Sequence, residues 1–73
     1  MIYLCVNAVH VLAEEGHYYR ATKSLVTYGG SYLILVDVYT GVTFNIQERQ
    51  LRVPKDFQEL TDLQFIVHVA DAK

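Results

Sequence analysis

Hydrophobic residues in this chain fall in short runs broken by glycine, asparagine and acidic positions, a spacing that suits strands better than helices. Ile2 to Val6 is an apolar run ending at Asn7, with the length and β-branched content of a first strand. Ala8 to Glu15 mixes β-branched with helix-forming residues, which leaves an irregular loop and a short helical turn both open until Gly16 ends it. Tyr18 to Val26 reads as a second strand of loose period two. Tyr19, Ala21 and the aliphatic stem of Lys23 share one face, and Tyr18, Arg20 and Thr22 the other. Thr27-Tyr28-Gly29-Gly30-Ser31 is the clearest turn, because adjacent glycines permit the positive φ of a tight hairpin. Tyr32 to Val38 is an almost unbroken apolar strand, so both of its faces are expected to be covered, by a barrel core or by a second subunit.

Tyr39-Thr40-Gly41 makes the next reversal, and Val42-Thr43-Phe44-Asn45-Ile46 alternates with Val42, Phe44 and Ile46 on the buried side. Gln47 to Gln50 is polar and turn-like. Leu51-Arg52-Val53 reads as a short closing strand that Pro54 stops. Asp56 is placed to cap a turn carrying Phe57 and Leu60, which Thr61-Asp62 breaks. Leu63 to Val69 reads as a last strand, with Leu63, Phe65, Val67 and Val69 against Gln64, Ile66 and His68. The expected fold is all-β: a small antiparallel barrel of about five to six strands, or a strongly bent sheet, with an extra C-terminal strand. Residues 1–73 form one domain, without repeats or low-complexity tracts.

A 73-residue chain buries only about 60 to 65% of its unfolded surface, and one core of that size supplies about 3 to 5 kcal/mol. The usual supplements are a disulfide, a metal or an oligomer, and the single cysteine Cys5 excludes an intrachain disulfide and argues against a structural zinc. Oligomerisation or partner binding is then the expected supplement. A 52% hydrophobic content with six tyrosines agrees, since so small a body must expose some of it. The free thiol, the lack of a basic segment ahead of Ile2, and the interruptions at Asn7 and His10 point to a soluble cytoplasmic protein. No run approaches the ~18 apolar residues of a membrane span. Net charge is −2, which weighs against a dedicated nucleic-acid binder. The basic residues Arg20, Lys23, Arg49, Arg52 and Lys55 lie centrally, and Asp56, Glu59, Asp62 and Asp71 crowd the C-terminal segment.

Leu4-Cys5-Val6, then Gly16-His17-Tyr18-Tyr19, then Tyr32-Leu33-Ile34-Leu35-Val36-Asp37 with Gly41, and finally Glu48-Arg49-Gln50-Leu51 follow one another in an order that resembles small SH3-like barrel proteins of phages and mobile elements. The resemblance covers about residues 2–53. It implies an SH3-like barrel and a partner-binding body, often a modulator of a host protein. It carries no catalytic residue.

Candidate chemistry is sparse. Cys5, His10 and His17 suggest a thiolate–imidazole pair, but a lone cysteine in an apolar strand is ordinarily a core residue. His68 reads as a half-exposed strand residue, and the histidine spacings lack zinc-site logic. Glu14-Glu15 and Asp56, Glu59 and Asp62 read as solvated turn charges. Gly29-Gly30 is not followed by a phosphate-binding lysine and serine or threonine. No catalytic, cofactor or metal residue is therefore assigned. One set suits recognition: Tyr18, Arg20, Tyr28, Tyr32, Tyr39, Arg49 and Arg52, with Lys23 nearby. Tyrosine supplies rigid amphipathic anchors and arginine planar donor forks, the chemistry of interface hot spots. The expected function is a non-enzymatic module that docks on a host protein, with homodimerisation through Tyr32 to Val38 or Leu63 to Val69. The alternative is single-stranded nucleic acid, where bases stack on rings and cations follow phosphates.

Overall fold

A computed structural model describes residues 1–71. Five strands form one antiparallel sheet: β1 (Ile2–Cys5), β2 (Tyr18–Thr27), β3 (Gly30–Asp37), β4 (Thr43–Gln47) and β5 (Phe57–Leu60), in the order β4-β3-β2-β1-β5. Two helical segments complete it, a single turn α1 (Glu48–Leu51) and α2 (Asp62–Asp71). The expected β-rich antiparallel architecture is present. The sheet is not closed into a barrel, because β4 and β5 end it without pairing to each other.

The register explains how one thin sheet builds two apolar clusters. Side chains alternate between faces, so β1 sends Tyr3 and Cys5 one way and Ile2 and Leu4 the other. Tyr3 and Cys5 join Tyr19, Leu35, Phe44, Ile46, Leu51 and Phe57 in the main core. Ile2 joins Tyr18 and Leu60 on the opposite face, where Phe65 and Val69 of α2 cover them. Tyr18 and Tyr19 are consecutive and both buried because the sheet has a layer on each side at this point.

Several expectations fail for physical reasons. Leu51 does not enter a closing strand with Arg52 and Val53; it ends α1 and inserts its side chain into the core. Phe57 to Leu60 is not a capped turn but a strand, paired with β1 from Ile2↔Leu60 to Cys5↔Phe57. Leu63 to Val69 is helical. Thr61 and Gln64 form a reciprocal capping box there: the Gln64 N–H donates to Thr61 Oγ1 at 3.1 Å, and the Thr61 N–H to Gln64 Oε1 at 2.9 Å. Of the alternating set only Phe65 and Val69 pack inward, one helical turn apart, while Leu63 and Val67 face outward. Val42 precedes β4 and is exposed rather than buried.

The long β2–β3 hairpin also departs from simple alternation. The register shifts between Ala21 and Lys23, so the extra residue Thr22 moves Lys23 to the face of Arg20, where Lys23 opposes Ile34. The Thr22 hydroxyl donates to the Ile34 carbonyl at 3.2 Å, which anchors the bulge. Beyond Ala21, whose N–H donates to the Met1 carbonyl at 3.1 Å, β2 has no partner on its outer side among the described residues, and Lys23 and the bulge discourage edge-to-edge pairing there. On β3, Leu33 and Leu35 face the core, but among the described residues no second layer covers the outer face of Tyr32, Ile34 and Val36. Those residues are half-buried between their neighbours on β2 and β4. The expectation of two covered faces therefore holds for one face only.

Residues 8–15 resolve as bends and turns, not as a helix. They lie over the main core: Ala13 is buried, the His10 ring stacks on Phe44 with centroids 4.6 Å apart, and the Glu14 N–H donates to Tyr19 Oη at 2.9 Å.

Candidate functional site

The tip of the β2–β3 hairpin reverses through Tyr28 and Gly29. Gly30 adopts φ +119°, a conformation that side chains disfavour. Thr27 Oγ1 fastens the reversal by accepting from the Gly29 N–H and donating to the Gly30 carbonyl, both at 3.2 Å. Tyr28 stands fully exposed at this tip. Between the hairpin end and α1 lies a cleft of about 420 Å³, lined by Gly29, Gly30, Ser31, Gln47, Glu48, Arg49 and Arg52. Its polar side chains are oriented by one another. Arg49 Nε donates to Gln47 Oε1 at 2.8 Å, Gln47 Nε2 donates to Tyr32 Oη at 3.2 Å, and Arg52 Nη2 pairs with Glu48 Oε1 at 2.7 Å across one helical turn. The result is a concave surface with two guanidinium groups on one wall and backbone on the other.

Four of the seven residues selected from sequence, Tyr28, Tyr32, Arg49 and Arg52, thus gather at one end of the molecule. The other three do not. Tyr18 is buried against Phe65 and has no free surface to offer. Arg20 is exposed on the outer sheet face opposite Val36, and Tyr39 sits beyond the far end of β3, its ring edge-on to His17 at 5.3 Å.

That far end holds a cluster not evident from sequence. Asp37, 4% exposed, ends β3 and organises the reversal into β4. Its Oδ1 accepts from the Tyr39 and Thr40 N–H groups at 2.8 and 3.2 Å, and its carbonyl from the Gly41 N–H at 2.8 Å, with Gly41 at φ +76°. Asp37 Oδ2 lies 2.8 Å from His17 Nδ1, and Glu14 Oε2 approaches the same nitrogen at 3.3 Å. The hydrogen bond to Asp37 pushes the His17 pKa up against its partial burial, with both carboxylates adding to the rise. Burial alone would push the Asp37 carboxyl up; the hydrogen bonds from His17, Tyr39 and Thr40 outweigh it and hold the group below its ordinary value. Among the described residues, Glu14, His17 and Asp37 are the one group whose donor atoms converge in the manner of metal ligands, all within 4.8 Å of one another. The sequence signals were Glu14-x-x-His17 and a solitary aspartate closing an apolar strand.

Cys5 does not join this cluster. It is buried in the main core, burial raises its pKa, and its thiol donates to the Asn7 carbonyl at 3.4 Å. His10 Nδ1 accepts from the Leu12 N–H, and His68, expected in a strand, lies on α2 with its ring 6.4 Å from that of Tyr18. No described helix is long and apolar enough to cross a membrane. No protein family matches the chain, and neither a curated protein nor a solved structure matches it.

Proposed function

We propose that the chain is a non-enzymatic protein-binding module, akin to the small SH3-like proteins of phages and mobile elements, that docks on a host protein and modulates it in the cytoplasm. The observation that carries this reading is the cleft between the hairpin tip and α1: Arg49 and Arg52 line it, Tyr32 is hydrogen-bonded to its Gln47, and Tyr28 stands exposed next to its Gly29. An exposed tyrosine at the hairpin tip and two guanidinium groups in the cleft next to it are the residue types of an interface hot spot, and a partner carboxylate would take the guanidinium donors that Gln47 and Glu48 leave free. The antiparallel order β4-β3-β2-β1-β5, with a helical turn between β4 and β5, supports the SH3-like kinship. Capture from a host lysate with wild-type protein and with a Tyr28→Ala/Arg49→Ala variant tests it. A partner retained by the first and lost by the second is expected; equal retention by both rejects the cleft.

Binding of single-stranded nucleic acid is the second reading, favoured by the same exposed ring and cations. It requires oligonucleotide affinity that falls steeply with salt through counterion release. Homodimerisation is a further part of the proposal. Leu63, Ile66 and Val67 leave the outer face of α2 apolar and exposed, and the outer face of β3 is open. Light scattering that shows a monomer at high concentration removes it.

A further inference from the structure

We propose that Glu14, His17 and Asp37 form a binding site for one divalent first-row transition-metal ion of the zinc type. Glu14 and His17 lie three residues apart in the loop between β1 and β2, and Asp37 comes from the end of β3. Two carboxylate oxygens face one ring nitrogen, Asp37 Oδ2 at 2.8 Å and Glu14 Oε2 at 3.3 Å from His17 Nδ1. A metal bound at ordinary zinc–nitrogen and zinc–oxygen lengths holds neighbouring ligand atoms roughly 3.0 to 3.4 Å apart. Both nitrogen–oxygen separations already lie close to that range, and the outward-facing Glu14 side chain is free to close the remaining oxygen–oxygen gap.

A single Nδ1 proton satisfies one of these acceptors at a time, so the proton is a poor match for what surrounds it. Among the described residues neither carboxylate is paired with a lysine or arginine. Protonated His17 leaves the trio at one net negative charge, and neutral His17 leaves it at two; a divalent ion in place of the proton removes that excess. Asp37 is the fixed arm of the site. Its Oδ1 is held by two backbone N–H groups, which leaves Oδ2 aimed at the imidazole, the kind of outer support that orients metal-ligating carboxylates. The Glu14 backbone is held by its N–H bond to Tyr19 Oη.

Access comes from an adjoining cleft of about 240 Å³ bordered by Glu14, Asp37 and Thr40, with Leu12 and Val42 as apolar walls. It has room for several waters, which occupy about 30 Å³ each in the liquid, so the positions beyond three protein ligands remain open to solvent or to a partner's side chain. One imidazole with two carboxylates selects zinc and its borderline neighbours over magnesium or calcium, which take oxygen donors. Bound there, the ion fastens the loop after β1 to the β3–β4 turn.

The test is calorimetric titration of tag-free protein with Zn²⁺, beside native mass spectrometry. One equivalent is expected to bind to the wild type. Glu14→Gln changes an exposed side chain, the metal-free variant still folds as checked by circular dichroism, and it is expected to weaken binding by about tenfold or more. His17→Gln is expected to weaken it at least as much, while Cys5→Ser, His10→Ala and His68→Ala leave it intact. A thiolate charge-transfer band in the Co²⁺-loaded protein would overturn the assignment. So would the absence of one-equivalent binding to the wild type, or wild-type affinity in either Glu14→Gln or His17→Gln.

Discussion

Replacing Asp37 with asparagine isolates the charge that joins the start of β2 to the end of β3. The side chain is 4% exposed and its Oδ2 lies 2.8 Å from His17 Nδ1. Asparagine keeps an Oδ1 acceptor for the Tyr39 and Thr40 N–H groups, so the turn survives. The atom it turns toward His17 is the Nδ2 donor, which bonds only to a neutral ring whose Nδ1 accepts and meets the protonated ring donor to donor. A hydrogen bond to a charged group contributes about 1.5 to 3 kcal/mol, which is the cost of Asp37→Asn where both partners are ionised; where His17 is neutral, the asparagine Nδ2 can donate to Nδ1 and the cost falls. The pH range follows from the two shifts. His17 is raised above its unfolded value of 6.5, so its contribution is complete below that pH and is lost as pH rises through the folded value. Asp37 is lowered from 3.8, so its contribution is present above 3.8 and is lost as pH falls through the lower folded value. The full effect belongs between these limits, and the groups facing the imidazole there are Asp37, the Glu14 carboxylate and the Tyr39 ring. Urea unfolding followed by tyrosine fluorescence, in chelator at about pH 5.5 and about pH 8.5, reads it. The variant is expected to lose most at the lower pH; an equal or larger loss at the higher pH refutes the reasoning.

Phe65→Ala removes half of the inward contact of α2, and because Phe65 is only half-buried the cost is roughly 1.5 to 2.5 kcal/mol, below the 3 to 5 of a fully buried phenylalanine. Hydrogen exchange is expected to accelerate across residues 62–71 with β1 and β2 still protected; uniform acceleration contradicts peripheral docking. Thr61→Ala breaks the capping box at a cost of about 1 kcal/mol, seen as lost helical circular dichroism without loss of the sheet. Cys5, buried and raised in pKa by that burial, is expected to react with a thiol reagent only as fast as the protein unfolds, and prompt labelling in native buffer counts against its place in the core.

What the chain reveals unaided depends on whether the deciding interaction is local. β1 to β4 are legible because period-two alternation and glycine turns are local signals, and Phe44 and Ile46 take the buried side as expected. β5 is not legible: Phe57 and Leu60 face opposite clusters across two polar residues, and only pairing with β1 makes that segment a strand. Leu63 to Val69 fits an alternating pattern as readily as a helical one. The local sign that separates them is Thr61-x-x-Gln64, whose reciprocal bonds start a helix. The Thr22 bulge changes the face of Lys23 without any compositional mark. The cleft was half visible, since its arginines and the tyrosines at the same end of the molecule stand out by type, while the partnership of Glu14 and His17 with Asp37 exists only once β2 and β3 are paired.

The central claim is that the hairpin tip and α1 form the docking surface. The direct measurement is amide chemical-shift mapping of the ¹⁵N-labelled chain as the captured host protein is added. Perturbations concentrated at residues 27–32 and 47–52 are predicted. Perturbations concentrated on α2 or on residues 8–15, with the cleft unaffected, would contradict it.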